Sequence, residues 1–195
     1  IPYDLYELNA KPGKAINFLS PFARHVYVSF KQTKRYFKRH TLFTPYPIRF
    51  SHREPYPLPN NFSPDRKTIL ILGGSQGSIA LNMMWKKALE ENPQLARSVQ
   101  VIHQYGNHNF AWDDLYASLK IPAITFGFND AIERFYPHAN IVICRAGAGS
   151  LFETVYFKKQ CIAIPLETQA TNHQLDNAHA MANEYPDLVT VLREK

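Results

Sequence analysis

Cysteine is scarce: Cys144 and Cys161 are the two in 195 residues, each inside an apolar run, which leaves no disulfide framework and no zinc-ligand spacing. A reducing compartment, the cytosol, is the default for such a chain. Long hydrophobic runs are missing as well. Stretches such as residues 69–72 and 141–144 fall far short of the roughly 20 apolar residues needed to cross a bilayer. At the start, Ile1 follows no initiator methionine, and no charged segment leads into an apolar one, so no signal peptide is read and the chain reads as a trimmed piece. Several chemical signatures are also absent. There is no Asp-x-Asp for a metal-held nucleotide sugar, no H-E-x-x-H and no G-x-S-x-G, while His103, His108, His138 and His179 are dispersed without ligand spacing and read as surface or core histidines. Neither a metal nor another cofactor is called for.

What is present is enough to bury a core: 45% of residues are hydrophobic, 13% aromatic and 19% charged, which excludes a disordered segment. A net charge of +6 invites a nucleic-acid reading until its distribution is examined. Residues 1–66 hold 11 Lys and Arg against four Asp and Glu, and the remainder holds 11 against 12. The basicity belongs to the first third, and no aromatic RNA-binding pattern accompanies it, so no nucleic-acid partner is expected. Its densest part is Lys31, Lys34, Arg35, Lys38 and Arg39, spaced to share one face if the stretch is helical. That face is either a solvated one or one laid on an anionic membrane surface.

Six prolines fall within residues 44–64, which forbids regular structure there and marks residues 50–66 as a linker. Before it, short strands at residues 3–8, 25–30 and 42–44 alternate with helical stretches at 14–22 and 31–39, like the closing part of an α/β domain whose other strands lie upstream. After it, strands at 68–72, 99–104, 123–128, 141–144, 161–165 and 188–192 alternate with helical patterns. That alternation predicts a doubly wound parallel sheet in a unit spanning residues 67–195.

Three loops of that unit carry candidate chemistry. Gly73-Gly74-Ser75-Gln76-Gly77-Ser78 follows a buried strand and opens a helix at Ile79, so bared N–H groups and the helix dipole can receive a phosphate or diphosphate. It is no P-loop, because no Lys-Ser/Thr pair follows, and its spacing departs from G-x-G-x-x-G. Gly147-Ala148-Gly149-Ser150 makes a second such turn, with Glu153 in the helix it opens. Glu153 reads either as the far half of a capping box with Ser150 or as the acceptor for a ribose diol. The third loop, ending in Asn172-His173-Gln174, offers neutral polar groups suited to a sugar, or else a simple capping loop. All three follow the carboxyl ends of predicted parallel strands, where open α/β sheets bind ligands, so they can converge on one crevice.

Taken together, Gly73-Gly74-Ser75-Gln76-Gly77, Arg145-Ala146-Gly147-Ala148 with Glu153, and Asn172-His173-Gln174 with Asn177-Ala178 resemble the MurG family of N-acetylglucosaminyltransferases of peptidoglycan synthesis. Upstream, Glu7-x-Asn9 before Pro12-Gly13, and Pro47-Ile48-Arg49, resemble the end of that family's N-terminal domain. The resemblance implies a GT-B glycosyltransferase of two Rossmann-like domains, residues 1–49 closing the acceptor-side domain and 67–195 forming the donor domain. It implies inverting transfer of GlcNAc from UDP-GlcNAc to lipid I, giving lipid II, by an enzyme peripheral on the inner face of the cell membrane. By the same resemblance Ser75, Gln76 and the turn Gly147, Ala148, Gly149 and Ser150 would face the diphosphate with Arg49. Glu153 would hold the ribose, Phe128 and Asn129 would border the uracil, and Asn9, His173 and Gln174 would line the GlcNAc. Departures stand at Asn129 for an aliphatic residue, Tyr46 for an asparagine, and Tyr6 and Leu8 for His and Gln. The family's glycine-rich loop with its proposed base is not in this sequence, so turnover by these 195 residues alone is not expected. The alternatives are another UDP-sugar transferase of the same fold and a non-catalytic nucleotide-sugar-binding fragment.

Overall fold

The computed structural model describes residues 1–38, 41–48, 50, 54–74, 77–107, 110–167 and 173–194. Its strands form two parallel sheets. The first is small: β1 (Asp4–Glu7), β2 (His25–Val28) and β3 (Thr41–Phe43), in that order, with α1 (Lys14–Leu19) crossing between the first two. Helix α1 passes into a 3₁₀ turn at Ser20–Phe22, where Pro21 stands at its start. Val26 and Val28 bury beneath Ala23, but Ala10 and Phe30 leave this small core and join the larger one.

The second sheet has β4 (Lys67–Leu72), β5 (Val99–Gln104), β6 (Ala123–Phe126), β7 (Ile141–Arg145), β8 (Gln160–Ile164) and β9 (Val189–Val191) in the order β6-β5-β4-β7-β8-β9. Strand order therefore reverses between β4 and β7, the first strand pairing outward to β5 on one side and β7 on the other. Side chains alternate across the sheet. Ile69, Ile71, Val99 and Val101 face α2 (Ile79–Glu91) and α4 (Trp112–Ser118) through Leu81, Trp85, Trp112 and Tyr116; the short α3 (Leu95–Ser98) leads into β5. Leu70, Leu72, Ile102, Val142 and Cys144 face α5 (Ala148–Tyr156) and α6 (His173–Glu184) through Leu151, Ala178 and Met181. Burial on both faces explains the aliphatic runs, since a strand with helices above and below has no wet side to signal.

Across residues 54–66 the chain makes no helix or strand, as its prolines require, yet it is laid against the larger core. The Arg134 guanidinium lies 3.7 Å over the Tyr56 ring, the Tyr56 amide donates to the Arg134 carbonyl, and Ser63 N donates to Gln100 Oε1.

One expectation fails. Residues 31–39 do not form an α-helix with a single basic face: Lys31–Tyr36 is a 3₁₀ turn, and Phe37 is already extended. Lys31/Arg35 and Lys34/Lys38 would put like charges one α-turn apart, which opposes the helix. In the observed turn Lys31 instead pairs with Glu184 at 2.8 Å. Arg39 lies outside the described residues.

Candidate functional site

Strand β4 ends in a turn that needs glycine. A Cβ on Gly73 would lie 2.8 Å from the Ser78 backbone nitrogen, and one on Gly77 would lie 2.6 Å from the Tyr105 carbonyl oxygen, with φ at +79. The turn thus folds back onto the end of β5, where Gly73 N donates to Gln104 O at 3.2 Å. Ser75 and Gln76, between these shoulders, lie outside the described residues. Helix α2 begins as expected at Ile79, and its N-cap is Ser78, whose hydroxyl accepts from Leu81 N and from Arg145 Nε. Arg145, at the end of β7 and buried, so ties the two strand ends at the switch point together.

The turn after β7 is built differently. Gly147 is the N-cap of α5 and makes no side-chain cap hydrogen bond. Ser150 is therefore the third helical residue rather than the cap, which removes the capping-box reading of Ser150 and Glu153: the pair has the spacing but begins one turn too late. Glu153 instead accepts a hydrogen bond from the buried Tyr136 hydroxyl at 3.3 Å, and its Oε1 lies 3.9 Å from where a Gly149 Cβ would sit. Burial, and then the Glu153 charge, push the Tyr136 hydroxyl well above the ordinary phenol range, so it stays protonated and donates.

These turns open on a cleft of about 460 Å³ at the carboxyl edge of the sheet. Gly74, Gly147, Gly149, Ser150 and Glu153 line it from the two sides of the switch point, with Gln104 from the end of β5 and Phe128 and Asn129 after β6. Phe128 is exposed, and Asn129 Oδ1 accepts from Ala131 N at 2.8 Å, holding the loop after β6 in a local turn. Phe50, from the proline-rich stretch, and the buried Glu133 complete the wall; neither stood out in the sequence, because nothing local marks which loop residues meet across a sheet edge.

The remaining sugar-lining candidates do not stand in the wall of this cleft. Asn9 donates to Glu7 Oε1 and accepts from Asn177 Nδ2 at 3.1 Å; Asn177 in turn accepts from Ala10 N at 2.7 Å and donates to the Ala146 carbonyl. One buried amide on α6 thereby fixes Asn9 beside the start of α5. Glu7, itself buried, holds the Asn9–Gly13 loop by accepting from both their backbone amides. His173 opens α6, and Gln174 Oε1 accepts from Leu166 N at 2.9 Å, closing its own loop. Ala148 is buried at the start of α5 and presents its backbone alone. Arg49 and Asn172 lie outside the described residues.

The chain is similar to known proteins over nearly its whole length. It is 32% identical over 91% of its residues to a UDP-N-acetylglucosamine--N-acetylmuramyl-(pentapeptide) pyrophosphoryl-undecaprenol N-acetylglucosamine transferase from Thermotoga sp. (strain RQ2), covering 49% of that protein. The same-named protein of Trichodesmium erythraeum (strain IMS101) is 33% identical over 97% of the chain, and 50% of that protein is covered. The crystal structure of Acinetobacter baumannii MurG superposes with a TM-score of 0.71 at 26% identity, over 99% of this chain and 54% of that one. The chain thus spans about half the length of the curated relatives it matches. Its α/β architecture is that of the GT-B glycosyltransferases. With residues 68–194 matching the glycosyltransferase family 28 C-terminal domain around this switch-point cleft, the chain belongs to that glycosyltransferase family.

Proposed function

We propose that this chain carries the UDP-GlcNAc-binding half of an inverting N-acetylglucosaminyltransferase that acts on lipid I to form lipid II. Residues 67–195 are the donor domain, residues 50–66 the connection, and residues 1–49 the end of the acceptor-side domain. The observation that carries this reading is the switch-point cleft, lined by both the uncapped start of α5 and a carboxylate of that same helix. A helix N-terminus with no side-chain cap suits a diphosphate, and a carboxylate one and a half turns along suits a ribose diol.

In this reading Gly147, Ala148, Gly149 and Ser150 offer backbone N–H groups to the diphosphate, with Ser75, Gln76 and Arg49 around it. Glu153, held by Tyr136, accepts from the ribose; Phe128 and Asn129 border the uracil; Asn9, His173 and Gln174 face the GlcNAc. As the bond from the anomeric carbon to the diphosphate breaks, UDP gains negative charge, which the α5 terminus stabilises more in the transition state than in the bound donor. The acceptor hydroxyl oxygen bonds to the opposite face of that carbon, and its proton passes to a general base, a role assigned to no residue of this chain.

Calorimetry tests the reading. UDP should bind the chain and NAD far more weakly, and Glu153→Gln, which keeps an acceptor for Tyr136, should cost roughly tenfold in UDP affinity by weakening charge-assisted bonds to the diol. Equal binding of NAD, or no heat with UDP at millimolar concentration, would overturn it.

For the acceptor side we infer a peripheral seat on the anionic inner face of the membrane. Among the described residues no helix is long and apolar enough to cross it. Phe18 and Phe22 stand 75% and 70% exposed, flanked in sequence by Lys14 and Arg24, and Lys34, Arg35 and Lys38 are exposed nearby in the chain. Aromatic insertion and cationic attraction together favour such a surface.

A further inference from the structure

The stretch after β3 reaches the donor cleft from the N-terminal side, and its position is unusually well fixed. Thr44 N donates to Val28 O at 3.0 Å, and the Tyr6 hydroxyl donates to the Pro45 carbonyl at 2.8 Å. Prolines at 45 and 47 fix φ on either side of Tyr46. The Tyr46 ring stacks on Phe152 of α5, with centroids 4.8 Å apart and planes 16° from parallel, and Phe30 packs on that same Phe152 at 4.8 Å. Three rings thus clamp the N-terminal portion to the outside of α5.

The consequence lies at the hydroxyl end of that ring. Tyr46 Oη sits 3.3 Å from where a Cβ would stand on Gly149, in the first turn of α5 and in the wall of the cleft. From the site reading above, on which this step rests, we propose that Tyr46 is a donor-binding residue: its hydroxyl hydrogen-bonds the diphosphate of the nucleotide sugar at the open start of α5. Three physical points support it. The hydroxyl lies beside Gly149 in the first turn of α5, so an anion received at that turn comes within its reach. Its ring is immobilised by stacking before any ligand arrives, so little side-chain freedom remains to be lost on binding. A phenol donates without adding charge, which suits a place that Glu153 Oε1 also approaches, 3.9 Å from the same Gly149 Cβ position. Glycine at 149 is then a matter of access, since a methyl group there would press on the hydroxyl and cover the bare helix turn.

Tyr6 and Tyr46 also explain each other. Both are positions where this sequence departs from the family it resembles, and the bond from Tyr6 to Pro45 makes the first a support for the second.

The test uses Tyr46→Phe, which keeps the ring stack and removes the hydroxyl alone. Calorimetry with UDP and with uridine, on the wild-type chain and the variant, separates the outcomes. The expected result is a UDP affinity lowered roughly tenfold, as for loss of a hydrogen bond to a charged oxygen, with uridine affinity unchanged. A UDP affinity within twofold of wild type would overturn the proposal, and so would equal losses for UDP and uridine, which would mean a distorted cleft. Wild-type chain that binds neither ligand would remove the donor-site reading and this inference with it; UDP binding that survives the substitution would remove this inference alone.

Discussion

Behind the glycine turn of β4 runs a buried polar chain whose direction can be worked out atom by atom. Trp85 Nε1 donates to Tyr116 Oη at 2.9 Å, and Asn82 Nδ2 donates to the Tyr105 carbonyl at 2.9 Å. His103 lies between them, its Nε2 3.1 Å from Asn82 Oδ1 and its Nδ1 2.9 Å from Tyr116 Oη. Tryptophan can only donate, and the Asn82 amide nitrogen is engaged as a donor, so the Tyr116 hydroxyl donates to Nδ1 and Nε2–H donates to Asn82. His103 is therefore neutral, in agreement with burial pushing it down to about 3. An unfolded histidine titrates near 6.5, so below that pH the unfolded chain takes a proton the folded one refuses. The stability His103 brings is complete above about pH 6.5 and falls with acidification by up to about 1.4 kcal/mol per pH unit, or about 2 kcal/mol by pH 5. His103→Gln keeps a donor for Asn82, leaves the Tyr116 hydroxyl without its acceptor and removes the titration. It should cost about 1–3 kcal/mol at pH 7. The wild-type and variant curves should then converge by about 2 kcal/mol at pH 5. Urea unfolding followed by tryptophan fluorescence suits the measurement, because both tryptophans lie in this cluster and the Trp112 ring packs edge-on against His103 at 4.5 Å. A gap between wild type and variant that is the same at pH 7 and pH 5 would refute the neutral, buried histidine.

Gly77→Ala forces a side chain into a positive-φ position and against the Tyr105 carbonyl, so it should destabilise the chain by about 1–3 kcal/mol and lower UDP affinity together, read by thermal melting and calorimetry. Asn177→Ala removes the acceptor for the Ala10 amide, and hydrogen exchange at that amide should accelerate at least tenfold while amides of β4 keep their protection. UDP binding should slow exchange at Gly149 and Ser150 more than at the start of α2, because the N-cap of α5 makes no side-chain bond whereas Ser78 already caps α2.

The large sheet was legible because burial on both faces leaves its mark residue by residue. Each of the six expected strands after the proline-rich stretch is present, from Ile69 in β4 to Val191 in β9, with ends moved by a residue or two. What could not be read was anything decided by which side chains meet. Residues 31–39 carry helical spacing, but Lys31–Tyr36 is a 3₁₀ turn in which Lys31 pairs with Glu184, a partner far along the chain that no local pattern signals. Phe50 and Glu133 reach the cleft through the way the chain packs across the sheet edge, for which no local signal exists. His103 read as a core or surface histidine, and it is a core one; its partners Asn82 and Tyr116 sit on two different helices.

The two glycine turns show most clearly where sequence reasoning stops. As strings they are alike: an aliphatic strand, glycines with serine, then a helix. In the folded chain their helix starts have opposite characters. Ser78 closes α2 with its own hydroxyl, and Arg145 donates to that same oxygen, so that start is held within the protein. Gly147 brings no side chain to α5, and the serine that could have served, Ser150, is carried into the helix as its third residue. An anion near these turns gains more at α5, where it supplies a cap the protein lacks, than at α2, where it competes with one already made. Glu153, freed from a capping role by the same shift of register, is left facing the cleft. A difference of three residues, from Gly147 to Ser150, in where a helix is capped thus separates a structural turn from a binding one, and hydrogen bonding decides it where spacing could not.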